Sequence, residues 1–569
     1  MSAPSTSSSP PLPDLERAVS HGVVQHRLSD ADGVDELTFP QLTQAGPPTD
    51  AYLETSPTGI VAAKEVEGQL APSASSPSSR SRHESHTTLV SPSGGRADPE
   101  KGLKEEDAKL VTWKENDPEN PRNWSMRQKW LQVILASLLC FNAGFSSAII
   151  TGGLPEMANA FSVSNEVINL SVCLFVVGFG LGPLFQSPLS EMYGRRVVYL
   201  CCMFFHFVFT IPECVTHSLA VLLVFRFLAG LAVAGVMCNA AGSIGDVFAV
   251  NERGNKMATF SAILFASPCL GPLVGGYITI TVGWRWMWWV LLILSGVVLV
   301  VAAALMKETY HPTLLKWRAE KLRKETGDET IQTEQERQGR PFSEIANESL
   351  LRPLVMLFCE PIMTFFSMYL CLIYGLLYGF FFAFPIVFIP HGWNSGEVGL
   401  AFLSILLGIA IVAVTACPLQ ERYYQRQIAK CGGGTPPPEA RLPLMMGCCV
   451  LLPISLFMFA GTSVSGVHPA GLLVSGVLFG FSLVGIYISA NTYLSVAFSR
   501  YAASAMAAKT FIRSMAGASM PMWVPGMYHQ IGHFWSGAAF AFIAVAMSPI
   551  PFVFFFYGGV IRAKSKMAS

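Results

Sequence analysis

The chain has 569 residues, of which 51% are apolar and 13% charged, with a mean hydropathy of +0.44 and a formal net charge of zero. Soluble globular chains carry about 25% charged residues, so this one cannot cover a water-facing surface and reads as an integral membrane protein. Zero net charge removes any case for binding nucleic acid through a global field.

Residues 1–125 are rich in Ser, Pro, Gly and charge, as in "SASSPSSRSRHESH". They carry too little apolar surface to offset ordering entropy and are expected to be disordered. No apolar h-region opens the chain, so no cleavable signal peptide is expected.

From Trp130 onward, apolar runs of about 20 residues repeat, the length that crosses a hydrocarbon core of roughly 30 Å. Spans are expected near 130–152, 166–187, 197–216, 219–243, 256–281 and 285–306, and again near 361–388, 397–417, 443–462, 468–496, 505–527 and 534–558. The hydrophilic stretch 307–360 between the two sets has room for one or two surface helices. Six spans, a linker and six more spans suggest a duplicated all-α unit, with a short tail at 561–569.

Lys and Arg crowd the even-numbered loops: Arg195 and Arg196, Arg253 and Lys256, the 307–345 cluster, Arg422, Arg426 and Lys430, and Arg500. The tail adds Arg562, Lys564 and Lys566, whereas Arg285 is the one clear cation on the opposite side. By the positive-inside rule both termini are expected to be cytoplasmic.

The thirteen Cys are scattered through apolar runs without paired C-x-x-C spacing, so no metal site is expected. No G-x-x-x-x-G-K-[ST] loop occurs, which argues against ATP-driven pumping. No catalytic constellation stands out in the spans, and an enzyme is not expected.

Between spans 2 and 3 stands "SPLSEMYGRR", Ser187 to Arg196. Gly194 permits a tight turn there, while Glu191, Arg195 and Arg196 can pair with one another and with a neighbouring helix end. Span 4 carries "RFLAGLAVAG", with Arg226 about a third of the way into the membrane. An Arg at that depth costs at least ~2.5 kcal/mol unless it meets a polar cavity or a partner. Span 5 carries "ASPCLGPLVGGYI", where Gly271, Pro272, Gly275 and Gly276 would make a kinked, closely packed seam.

These stretches resemble the major facilitator superfamily. Leu189, Glu191, Gly194, Arg195 and Arg196 follow its loop signature G-x-L-a-D-r-x-G-r-k, with departures at Ser187, Glu191 and Met192. Arg226 matches its R-x-x-x-G motif, and Gly271–Gly276 the second half of its antiporter signature, with Ser267 in place of the leading Gly. "DPENPRNWS", "ETYHPTLLKWRAEKLRKETG" and "YAASAMAAKTFIRSMAGASMPMW" are similar to the fungal twelve-span drug:proton antiporters. The resemblance covers about 117–560. It implies a fold of twelve transmembrane helices in two six-helix halves, and a loop cluster that latches one face by binding an acid at the end of span 4, where Asp246 sits. It also implies export driven by the proton gradient without a cofactor, by a chain working mainly as a monomer.

In that fold spans 1, 4, 7 and 10 line a central cavity, which makes Asn142, Arg226, Asn239, Tyr374, Tyr378, Phe382, Tyr487 and Asn491 the candidate substrate contacts. Aromatics with a few amides suit a bulky organic ligand. No Asp or Glu lies in the middle of those spans: Glu156 and Glu213 are near outer ends, and Asp246 near the inner end. Burying a polycation there without a counter-charge would be costly, whereas Arg226 and Arg513 of span 11 would tolerate a carboxylate. The expectation is a proton-coupled exporter of a small neutral or anionic organic molecule, such as a secondary metabolite, drug or organic acid, in the plasma or vacuolar membrane. Gating or coupling is assigned to Glu191, Gly194, Arg195, Arg196, Arg226, Asp246, Gly271, Pro272, Gly275, Gly276 and Arg513. An uncoupled facilitator, a polyamine exporter and a transporter-like receptor stand as alternatives.

Overall fold

A computed structural model describes residues 60–61 and 109–569, apart from 250–251, 339–341, 433–435, 465–466, 566 and 569. The expected disordered tail lies mostly outside the described residues. Its last part, 109–125, is not disordered: strand β2 (Lys109–Val111) pairs antiparallel with β1 (Ile60–Val61) and parallel with β3 (Ile331–Gln332).

Ser125 caps α1 (Met126–Ala148) by accepting from the Gln128 N–H, and the helix runs on through a 3-10 turn, Ile149–Gly153, into the short α2 (Leu154–Phe161). There follow α3 (Asn165–Tyr193), α4 (Arg195–Val215), α5 (Leu219–Val247), α6 (Arg253–Val282) and α7 (Arg285–Leu305). The linker forms α8 (His311–Thr326), the short α9 (Glu334–Gln338) and α10 (Phe342–Cys359).

The second half is α11 (Pro361–Phe388), α12 (Ser395–Val414), α13 (Ala416–Lys430), α14 (Pro443–Thr462), α15 (Ala470–Ala497), α16 (Ala502–Met547) and α17 (Pro549–Lys564). Asn394 and Glu397 form a reciprocal capping box at the start of α12. Among the described residues eleven helical runs are long and apolar enough to cross a membrane, the last being Ser504–Lys564. That run of 61 residues is three times the roughly 20 a bilayer needs, and it is broken at Gly532, whose φ of 79° and ψ of 166° are not helical. The break falls between the two spans expected near 505–527 and 534–558, which here belong to one continuous run.

Apolar side chains face both ways. Leu139, Phe175, Leu291 and Phe366 are fully buried, while Val300 is 68% and Phe556 70% exposed on the outer surface of the bundle. A water-soluble core would not leave such residues out; a bilayer supplies their solvent. The halves meet chiefly through two helix pairs, α3 against α16 and α6 against α12. Small residues permit the approach: Gly180 sits against Ser514 and Met515, and Gly276 and Gly399 lie at the α6–α12 contact.

Candidate functional site

Between the halves lies a small cavity lined by Ala143, Gly144, Ser147, Phe179, Met237, Leu264, Phe265, Pro268, Tyr374, Tyr378 and Arg513. It leaves little more room than a single water molecule needs, so the lining has closed on itself. Tyr374 and Tyr378, one helical turn apart on α11, bring their hydroxyls to 3.5 Å, and the Tyr378 hydroxyl donates to Ser147 of α1 at 2.9 Å. That last bond crosses from one half to the other.

On α16 two cations face this region. Arg513 is 2% exposed, with its guanidinium carbon 4.5 Å from the Tyr374 ring centroid and 5.2 Å from that of Tyr487. Lys509, one turn earlier, donates to the Asn491 side-chain oxygen and holds its ammonium 5.0 Å from the Tyr487 ring. Tyr487 in turn meets Phe265 edge to face at 4.6 Å.

Arg226 occupies a different environment. Its Nε donates to the Ser171 carbonyl at 3.1 Å, and Nη1 and Nη2 share the Ser146 carbonyl at 3.3 Å. The guanidinium lies 4.2 Å from the Phe175 ring centroid and 5.3 Å from that of Trp288, and its Nη1 is 4.0 Å from Glu213 Oε2. Both charges are fully buried, and neither Glu213 oxygen accepts a hydrogen bond.

At the end of the bundle that carries the linker, Gly194 turns the chain from α3 into α4 with φ 95° and ψ 161°. A side chain there would be strained, and its Cβ would lie 2.5 Å from Glu308 Oε2. Glu308 fills that space and caps α4: its carboxylate accepts from the backbone N–H groups of Arg195 and Arg196, and from those of Thr309 and Tyr310, all at 2.9 Å. Arg195 Nε reaches Asp246 Oδ2 at 3.3 Å, and its Nη1 donates to Ser190. His311 Nε2 lies 2.8 Å from the Asp246 carbonyl oxygen, tying the linker to the end of α5. At the seam of α6, a Cβ on Gly275 would stand 1.9 Å from the Ile149 carbonyl oxygen, an approach that only glycine allows.

The model of the Major Facilitator Superfamily matches residues 136–521. The chain belongs to this superfamily. Its relatives include the transporter paaT of Penicillium rubens, 41% identical over 82% of this chain and 85% of the relative. The superfamily multidrug transporter mdrA of Aspergillus fumigatus is 38% identical over 82% and 77%, and polyamine transporter 3 of Saccharomyces cerevisiae 37% over 80% and 73%. Among solved structures the fold is similar to the proton:xylose symporter XylE, with a TM-score of 0.57 and 14% identity over 76% of this chain and 97% of that one. It is also similar to the human organic anion transporter MFSD10, with 0.51 and 17% over 76% and 100%. At such identities they bear on the fold alone. This superfamily member is a multi-pass membrane transporter and not an enzyme.

Of the eight candidate substrate contacts, only Tyr374 and Tyr378 line the central cavity. Tyr487 and Asn491 border it through Arg513 and Lys509. Asn142 is instead paired with Ser295 of α7, by bonds of 3.1 and 3.2 Å. Asn239 faces the linker end, 3.5 Å from Arg195 Nη1, and buried Phe382 is not part of the lining. Arg226 is no free cavity cation, because Glu213, read from sequence as an outer-end residue, is its buried counter-charge. Of the gating candidates, Arg195 and Asp246 form the expected pair, and Arg196 donates to the Ala303 carbonyl. Glu191 lies near them with its backbone oxygen accepting from Gln335. Sequence reasoning missed Glu308 and Lys509. The i, i+4 spacing of Lys509 and Arg513 within an apolar span was the available signal for the second.

Proposed function

We propose that this superfamily member is a proton-coupled exporter of a small neutral or anionic organic molecule, working as a monomer by alternating access. In this reading both termini are cytoplasmic, the plasma membrane is its location, and no cofactor takes part. The observation that carries it is the charge arrangement of the cavity. Its walls hold aromatic rings and one buried cation, Arg513, with buried Lys509 one helical turn away behind Tyr487, and no carboxylate from the described residues is paired to either cation. A cationic substrate would face these charges in a poorly screened interior, which tells against a polyamine despite one relative's name.

Export, rather than uptake, is supported by the Gly271–Gly276 seam, which packs on the 3-10 turn after α1 and on α12, where opening on the face opposite the linker would have to occur. Coupling to protons is supported by the Glu213–Arg226 pair, a buried acid whose oxygens are free to take up a proton. Arg195, Asp246 and Glu308 would hold the linker face closed when the cavity opens to the other side.

The test uses full-length protein in liposomes, with and without an imposed pH gradient, and a panel of an organic acid, a neutral hydrophobic drug and spermidine. Acid or drug flux that rises with the gradient is expected. Flux indifferent to the gradient would reduce the protein to a facilitator, and preferential movement of spermidine would overturn the substrate class.

A further inference from the structure

We infer that Lys509 and Arg513 form a subsite for the carboxylate of an aromatic organic acid, whose ring is held among Tyr374, Tyr487 and Phe265. This rests on reading the central cavity as the substrate site.

The buried cations differ in what satisfies them. Arg226 has three hydrogen bonds to carbonyls and a carboxylate at 4.0 Å. Arg513, equally buried, has Nε and Nη1 without any hydrogen-bond acceptor. Lys509 is 4% exposed and donates to the neutral amide oxygen of Asn491. The two are one turn apart on the same helix, so their like charges repel, and no carboxylate among the described residues offsets them. The Tyr374 and Tyr487 rings attract the charges through their faces but accept none of the in-plane N–H bonds. A guanidinium with a free N–H edge beside an ammonium is the donor set that a carboxylate fits, two oxygens against a planar fork and a point charge.

What surrounds this polar corner selects the rest of the ligand. Phe179, Met237, Leu264 and Phe265 present apolar and aromatic surface, with Ser147 and the two Tyr hydroxyls as the remaining polar groups. A phosphate ester or a sugar would find too few donors to replace its lost water. A flat aromatic body with one anionic end matches the lining. The carboxylate would be held by α16, whereas Phe265 belongs to α6 of the other half, already in edge contact with Tyr487 at 4.6 Å. The ligand would therefore bridge the two halves, and its charge would offset the repulsion between Lys509 and Arg513.

Binding to the full chain in lipid nanodiscs, with no gradient, tests this. The probes are naphthalene-2-carboxylate, its neutral amide and the corresponding primary ammonium, naphthalen-2-ylmethylamine. The carboxylate is expected to bind best and the ammonium not at all. Arg513→Gln and Lys509→Gln should each weaken the carboxylate by about tenfold or more, the worth of a charge-assisted hydrogen bond, and leave the amide within about twofold. Arg513→Lys, which keeps the charge but loses the fork, should fall between, and wild-type melting temperatures identify the variants that have folded. Carboxylate binding that ignores both substitutions in folded protein, or no carboxylate binding at all, overturns the subsite. Carboxylate bound through Arg513 yet not moved by a pH gradient would leave the subsite standing and remove only proton-coupled export.

Discussion

Glu213 of α4 and Arg226 of α5 stand 4.0 Å apart with no part of either side chain open to the surface. The helices are joined by the short turn 216–218, so the two residues, 13 apart in sequence, approach across neighbouring antiparallel spans. Arg226 has carbonyl partners besides the acid, but Glu213 has only the Arg. The acid is therefore the member whose charge depends wholly on the other.

Glu213→Gln keeps the shape and removes the ionisable group. Gradient-driven transport in liposomes is expected to drop to its level without a gradient, while counterflow exchange of the same substrate persists. Equal loss of both activities would show that Glu213 serves the fold or the substrate, not coupling.

Arg226→Met leaves a carboxylate buried and alone, which destabilises by about 3–5 kcal/mol. The double substitution of Glu213→Leu with Arg226→Met removes both charges and should melt within about 1 kcal/mol of wild type, since an apolar pair can replace a buried ion pair. Thermal unfolding in detergent compares the two, and equal losses would deny that the pair is coupled.

Gly275→Ala places a methyl 1.9 Å from the Ile149 carbonyl oxygen, a backbone atom that cannot step aside without moving the turn after α1. Overpacking of this kind costs about 1–3 kcal/mol, and transport should fall with it. Gly526→Ala is the control, since a Cβ there meets nothing within 4 Å. Equal tolerance at both positions would mean the seam has more slack than its geometry allows.

The segment before α1 has its own pH dependence. Burial by itself would raise the Asp117 carboxyl, but the hydrogen bond and charge of Arg318, with the Glu119 N–H, outweigh it and hold the group below its usual 3.8. Hydrogen bonds from Lys109 and Thr330 hold Asp328 lower still, at about 2. A depressed folded-state value means the tether is at full strength above pH 3.8 and is lost as pH falls through the lower, folded value. Asp117→Asn should raise hydrogen exchange at 109–111 by about tenfold at pH 7. Wild type should approach the variant only below pH 3.8.

Gly194→Ala forces a side chain into backbone geometry that costs of order 1–3 kcal/mol and against the carboxylate that caps α4. Glu308→Gln loses the charge at the helix N-terminus, worth about 0.3–1 kcal/mol, and one acceptor as well: with its oxygen kept on the Arg195, Thr309 and Tyr310 N–H groups, its amide nitrogen faces the Arg196 N–H that Oε2 serves. Both should hasten proteolysis of the linker. Unchanged proteolysis in Glu308→Gln would place the constraint in the turn alone.

Spans, the loop cluster and the α6 seam were legible because each is written within one continuous stretch and repeats at membrane length. What stayed hidden was set by contacts between stretches. Glu213 looked like an interfacial acid until α4 and α5 were packed face to face, and Asn142 and Asn239 could be assigned to the cavity only by ignoring which way each helix is rotated. Glu308 reads as one charge among many in a hydrophilic linker, yet it is 4% exposed and closes the end of α4, more than 100 residues earlier in the chain. The strand pairing of 109–111 with 331–332 carries no local signal, since two or three residues cannot show a period.

That pairing has a practical consequence. Val111, Ala319 and Ile331 form a small core of their own, and the elements around it are tied to the first half, through Glu308 to α4, His311 to α5 and Gln335 to α3. At the other end, Arg562 of α17 grips Glu439 just before α14, so α17 is fixed to the second half. Two fluorophores, one on the outer face of α8 and one on α17, would thus ride on opposite halves, and the distance between them would follow the proposed rocking motion as a direct ruler, turnover by turnover.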